Sequence, residues 1–144
     1  MPEAADILTH LATAIMTKFA GSDFDSAIGG RLTQDWAEDG TEYPYAVFQI
    51  VSAPKEKTFS EEYRDTLIQI SIFSKTSSSA EVKDAYTKAS ALFDECSFSL
   101  TGSTLIWMRE TNMVILREDI DALPDGTTRR RHCAVDFEIT TKLS

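Results

Sequence analysis

Cysteine, histidine, basic side chains and long apolar runs are all scarce in this chain of 144 residues, and each scarcity excludes something. The two cysteines, Cys96 and Cys133, stand too far apart for the paired thiolates of a CxxC metal site. Cys96 ends an apolar helical stripe and Cys133 falls on the apolar side of an alternating strand. Both read as small core residues in a reducing compartment, with no disulfide. Of the two histidines, His10 falls in a helix beside Leu11 and needs no catalytic role. His132 neighbours Cys133, but adjacent strand residues point to opposite faces, so the two form no nucleophile–base dyad. GxGxxG, Walker, HExxH and GxSxG sequences do not occur, and Gly29-Gly30 alone is a turn. The expectation is a protein without catalysis, metal or cofactor. No apolar run approaches the ~20 residues of a bilayer span. Met1-Pro2-Glu3-Ala4-Ala5-Asp6 carries two acids where a secretory signal carries bases. A soluble protein with no membrane partner, folding in the cytoplasm where it is made, is expected.

Lys and Arg number 14 against 23 Asp and Glu, a net charge of −9. Holding phosphates by counterion release needs the opposite balance, which argues against a nucleic-acid binder. An acidic surface that repels DNA, a DNA mimic and an ordinary soluble protein all remain open.

What is present suffices for a core: 42% of the residues are apolar, and the length suits one domain over residues 1–144. The most informative stretch is Glu42-Tyr43-Pro44-Tyr45-Ala46-Val47-Phe48-Gln49-Ile50-Val51-Ser52. Proline lacks an N–H and would break the ladder inside a central strand, whereas just before a strand it breaks nothing. The β-branched and aromatic residues behind Pro44 predict a strand over 45–52.

Ile7, Leu8, Leu11, Ala14, Ile15 and Phe19 recur at helical spacing and predict a helix over 4–19, stopped by Gly21. Residues 22–44 read as loop, with a short strand near 30–34. Pro54 and Lys55-Glu56-Lys57 predict a turn or exposed arm, so a hairpin tip spans 53–63. A strand over 64–73 follows, in which Ile68, Ile70 and Ile72 alternate with polar residues. Ser78 with Glu81 makes a capping-box pair that opens a second helix running to about Cys96. Residues 105–108 and 113–116 read as strand, with 109–112 either a bend or a polar stretch. Asp125-Gly126 signals a turn. Over 128–142, Cys133, Val135, Phe137 and Ile139 face one way. The fold class is α+β in the order α-β-β-β-α-β-β, a largely antiparallel sheet with two helices on one face.

The candidate functional residues are charged and aromatic. Asp35, Glu38, Asp39 and Glu42 crowd one loop. They lack the spacing and glycine of a calcium loop and read as solvated acids. Glu118, Asp119, Asp121 and Asp125 crowd another. Strand alternation would split Arg129-Arg130-Arg131 across the sheet, or the run would sit at a strand end beside acids. Either placement favours ion pairing or a subunit contact over phosphate binding. Trp36 is a candidate interface anchor, and Trp107 either an anchor or a core residue.

The order of these pieces carries a resemblance. A first helix precedes Gly29-Gly30-Arg31, an acidic loop and Tyr43-Pro44-Tyr45-Ala46-Val47-Phe48-Gln49. A hairpin and a helix after Ser77-Ser78-Ser79 lead to Arg130-Arg131-His132-Cys133-Ala134-Val135-Asp136-Phe137-Glu138-Ile139. Over nearly its whole length the chain resembles the tail-completion family of long-tailed bacteriophages and prophages, which includes tail terminator proteins of the lambda type. The resemblance implies a virion protein of the head-proximal tail end, assembled in the host cytoplasm. It implies a homo-oligomeric ring, typically a hexamer, seated on the tail tube protein, where it stops polymerisation and offers a surface to a head-side connector protein. DNA would pass through the ring without specific binding. Asp35, Trp36, Glu38, Asp39, Glu42, Lys55, Lys57, Arg129 and Arg131 are then candidates for the bore or an interface. Two alternatives stand beside this reading: a head–tail connector or neck protein, and an acidic DNA mimic that inhibits a host enzyme. Acids gathered in loops rather than along a helix count against the mimic. An enzyme would need a deep pocket holding shifted titratable groups.

Overall fold

The computed structural model describes residues 4–38, 40–58, 60–75, 79–123 and 126–143, with the backbone alone at 4–6, 118–123 and 126–129. The first predicted helix is α1 (Ala4–Phe19), which buries Ile7, Leu11, Ile15 and Phe19. Gly21 follows with φ +78°, the left-handed backbone that ends a helix at no steric cost to glycine. A five-residue helix absent from the sequence reading comes next, α2 (Asp23–Ala27). Its N-cap is Ser22, whose hydroxyl accepts from the Asp25 N–H at 3.1 Å. Phe24 pins it, fully buried and edge-on to Phe19 at 5.4 Å and to Phe93 at 6.4 Å.

The remaining elements are β1 (Leu32–Gln34), β2 (Tyr45–Ser52), β3 (Lys55–Lys57), β4 (Glu62–Ser74), α3 (Ala80–Phe93), β5 (Ser103–Leu123) and β6 (Gly126–Leu143). The sheet runs β1-β2-β4-β6-β5, with β3 beside β4. Only β1 and β2 pair in parallel; the other pairs are antiparallel. The strand after Pro44 spans 45–52 as predicted and follows a cis Tyr43–Pro44 peptide. Arg31 steadies this approach, its Nε donating to the Pro44 carbonyl at 2.9 Å.

Register explains the core. Ile68, Ile70 and Ile72 of β4 lie opposite Phe137, Val135 and Cys133 of β6, so one phase of each strand faces the same side. These residues share a buried cluster with Leu11 and Ile15 of α1 and with Val82, Ala89 and Phe93 of α3. Each large side chain so buried contributes on the order of 2 kcal/mol of transfer free energy. The fold is thus α+β, a mostly antiparallel sheet of six strands with helices packed alongside.

Two local expectations change, the unpaired arm and the end of the second helix, and others are sharpened. The exposed arm is itself paired: Lys55, Glu56 and Lys57 lie opposite Arg64, Tyr63 and Glu62, because the β4 ladder continues past Pro54. Helix α3 stops at Phe93, three residues short of Cys96, where Asp94 turns extended and Glu95 takes φ +56°. The capping-box serine, Ser78, lies outside the described residues, and Glu81 instead accepts from the Ser74 hydroxyl at 2.6 Å. Residues 109–112 form no bend but a polar stretch of one long strand, with register shifts between Leu105 and Trp107 and between Glu110 and Asn112. Asp125 lies outside the described residues; Leu123 and Gly126 are register partners. Among the described residues no helix is long and apolar enough to cross a membrane.

Candidate assembly surface

The side of the sheet away from the helices has a composition of its own. Aromatic rings run across it at one end. Tyr43 lies 5.0 Å from Tyr45, Tyr45 stacks on Phe73 at 4.9 Å, and Phe73 stacks on His132 at 4.5 Å. Lys75 sits 4.7 Å above Tyr43, and the Arg130 guanidinium 4.6 Å above Phe73. Farther along, Gln69 donates to Asp136 at 3.1 Å and Thr140 to Asp65 at 2.7 Å. A cavity of about 310 Å³ opens where Asp35 and Trp36 overhang Tyr45, Gln49, Phe73 and Arg130.

The structure places the acidic loop at the β1 edge. Asp35 has φ +73°, and its N–H donates to the Phe48 carbonyl at 2.9 Å. Trp36 is 77% exposed. Glu38 and Glu42 are exposed, and Glu42 lies 3.9 Å from Arg31. Asp39 is outside the described residues. Lys55 and Lys57 do not join this group. They stand near the other end of β4, roughly 30 Å along the strand from Phe73. Both reach across the ladder to the Glu62 carboxylate, at 3.2 and 3.7 Å. Beside them Lys142 bridges to Glu61 at 2.8 Å, and Tyr63 also donates to Glu61. These two donors hold the Glu61 carboxyl below its ordinary range.

Alternation splits the arginine run. Arg130 lies on the open side, while Arg131 pairs in register with Ser74 and Arg117. The backbone of Arg129 lies opposite Asp119, and its side chain is outside the description. Past the Ser74–Arg131 pair, β5 and β6 continue as a two-stranded ribbon with no third strand among the described residues.

Trp107 belongs to no core. It is 39% exposed on the edge strand β5, with the Arg109 guanidinium 4.1 Å over its ring. Val114 and Leu116 are also exposed there. The sequence predicts these two only as strand. The usable signal was that Met113-Val114-Ile115-Leu116 is apolar in both phases, the pattern of a strand covered on both faces.

Groups with chemical potential lie apart. Cys133 is buried, and its thiol is pushed up to about 11 by burial and by the Glu110 charge. His132 stacks on Phe73 on the opposite side of the sheet, so this pair makes no dyad. Glu110 accepts from the Tyr86 and Ser90 hydroxyls, each at 2.7 Å, which ties β5 to α3. A cavity of about 450 Å³ between α1 and residues 97–101 is lined by hydroxyls, Lys18 and His10, with no carboxylate. No group of three or more His, Cys, Asp or Glu among the described residues could hold a metal ion.

The sheet is covered on one side, open on the other and drawn out into charged arms. The profile of the tail completion protein gp17 family matches residues 13–142, and the chain belongs to that family. It is a structural protein of the phage virion tail. A chain from the virion of a native gene transfer agent particle has the same fold. It superimposes with a TM-score of 0.74 over 94% of this chain and 97% of that one, at 12% identity. No curated protein sequence matches.

Proposed function

We propose that this tail completion protein closes the head-proximal end of the tail tube as a homo-oligomeric ring, ends tube polymerisation there and presents a surface to a head-side connector protein. The observation that carries the reading is the separation of unlike surfaces on one copy. The acidic loop lies at one edge of the sheet, the lysine arm at the far end of β4, and the β5–β6 ribbon beyond the last β4 pair. Contacts between unlike patches are heterologous, and they close into a ring when the rotation per subunit fits. Six copies is the number that the resemblance implies. A net charge of −9 suits a bore through which DNA travels without adhering. The fold shared with a chain of a gene transfer agent virion agrees with a place in such a particle.

Electron microscopy of tails assembled without the protein tests this reading. Overlong tubes are expected. Tails of normal length detached from heads would instead make the chain a neck or connector component.

A further inference from the structure

The cavity of about 450 Å³ lies between residues 10–18 of α1 and residues 97–101, and local patterns build both of its walls. Helical spacing sets His10, Thr13, Ala14, Thr17 and Lys18 on one stripe of α1. Across from them, Ser97-Phe98-Ser99-Leu100-Thr101 alternates hydroxyl and apolar side chains. Exposure alternates with it: the hydroxyl residues are exposed, and Phe98 and Leu100 are half-buried against the core. The cavity therefore has an apolar floor, made by Ala14, Phe98 and Leu100, under a rim of hydroxyls. These rim hydroxyls make no hydrogen bond among the described residues, and the His10 Nδ1 is shielded from solvent without a partner. A shielded polar atom left unbonded costs free energy that a ligand can return.

The charge in the cavity is Lys18. Lys55 and Lys57 meet Glu62, Lys75 lies over Tyr43, Lys88 meets Asp84 and Lys142 meets Glu61. Lys18 and Lys83 touch no acid among the described residues, and of these two Lys18 stands in this cavity. No carboxylate lines it: Asp94 accepts from the Glu110 N–H, Glu95 is exposed elsewhere, and the Asp6 side chain is outside the description. Burial pushes the adjoining Cys96 thiol up, while the Lys18 charge lowers it by more than the Asp94 charge raises it, so the field on this wall is positive. One cation fits a monoanion. A phosphate dianion would leave a charge uncompensated near the partly negative C-terminal end of α1, in a protein of net charge −9. A carboxylate accepts from an ammonium, an imidazole N–H and hydroxyls with no charge left over. The floor then calls for hydrocarbon beside that carboxylate, and the volume falls in the range of small-molecule sites. We propose that this cavity binds a monocarboxylate carried on an apolar body, held by Lys18, by His10 donating from Nδ1 and by the rim hydroxyls. A small organic acid presents this chemistry, and so does an aspartate or glutamate with apolar neighbours on another chain of the virion.

Titration of the full-length protein with hexanoate, followed by NMR, tests the site. Saturable shifts are expected at the amides of residues 10–18 and 97–101, and the His10 ring nitrogens should move to the Nδ1–H form. Lys18→Met, which keeps the half-buried stem, should weaken binding about fivefold, the upper end for a partly exposed ion pair. Absence of a saturable shift, equal binding of the uncharged 1-hexanol, tighter binding of inorganic phosphate or an unmoved His10 ring would each overturn the proposal. In assembled tails Lys18 reports the source of the carboxylate. A carbodiimide link from Lys18 to an aspartate or glutamate of another chain assigns it to a neighbour. Protection of Lys18 from acetic anhydride without such a link, lifted by dialysis, assigns it to a free acid. Acetylation as fast as in the ligand-free protein overturns the proposal.

Discussion

Glu110→Ala removes a carboxylate that β5 turns toward α3. In the native protein its two oxygens accept from Tyr86 and Ser90 at 2.7 Å each, and its own N–H donates to Asp94 at 2.9 Å. Hydrogen bonds to a charged acceptor contribute about 1.5–3 kcal/mol each when buried. Tyr86 and Ser90 are only half-buried, and their hydroxyls can turn to water after the truncation. The expected loss is therefore about 2 kcal/mol in total. In urea, with a slope of about 2 kcal/mol per molar for a chain of this size, the midpoint should fall by about 1 M. Glu110→Gln keeps the shape and one acceptor oxygen, so it should lose about half as much. The decisive measurement is a double-mutant cycle with Tyr86→Phe, for which the structure predicts a coupling of about 1 kcal/mol. Coupling within about 0.3 kcal/mol of zero would refute the claim that this bond anchors α3 to the sheet. The pH dependence supplies a second arm. The Tyr86 hydroxyl is held above its ordinary value of 10.0 by the bond to Glu110, then by burial and by the Glu110 charge. Its folded value exceeds its unfolded one, so the contribution is complete below the unfolded value and fades as pH rises through the folded value. Wild type should accordingly lose stability more steeply above about pH 10 than Tyr86→Phe does.

Three further outcomes are expected. With its thiol near 11, Cys133 is thiolate in only about one molecule in a thousand at pH 8, so a thiol reagent should label Cys96 first and reach Cys133 only on unfolding. Equal native rates would contradict the burial of Cys133. Phe93→Ala should cost about 3–5 kcal/mol, because the ring is fully buried and edge-on to both Phe24 and Phe137. A loss below about 1 kcal/mol would mean that α2 is held by something else. Lys142→Met should raise the Glu61 titration midpoint, followed by NMR, toward 4.5. The folded value is depressed, so the Lys142–Glu61 contact is present above 4.5 and lost as pH falls through the lower value; an unmoved midpoint would show the bridge absent in solution.

The legible parts of this fold are those whose pattern is local. Pro44 with the residues behind it bounds β2, the stripe of α1 is regular, and the alternation in β4 and β6 survives because neither strand bulges against the other. The β5 strand was harder to read. Its helix-facing residues are Leu105, Met108, Glu110, Met113 and Ile115, and two bulges shift the phase between them, so no period of two shows. Five residues are too few for α2 to display a helical period, and β3 has no apolar residue at all. Its strand form comes from the β4 ladder, which no local pattern records. Among the candidate surface residues, the exposure of the carboxylates Asp35, Glu38 and Glu42 followed from composition, whereas that of Trp36 did not. The Lys55 and Lys57 pairing with Glu62 and the stack joining residues 43, 45, 73, 130 and 132 depend on register between distant segments.

The β5–β6 ribbon makes this subunit longer than its own body. At roughly 3.3 Å per residue, the 21 residues of β5 extend over about 65 Å. A compact chain of this size has a radius of gyration of about 15 Å and hence a diameter of only about 40 Å. How far the subunit can touch is therefore set by a residue count and not by domain size. Removing two residues from each strand beyond the last β4 pair would withdraw the tip by about 7 Å, preserve which side every remaining residue faces, and leave the buried cluster untouched. Arm length can thus vary between related proteins in steps of two residues, as a ruler that fits one shared core to partners at different distances.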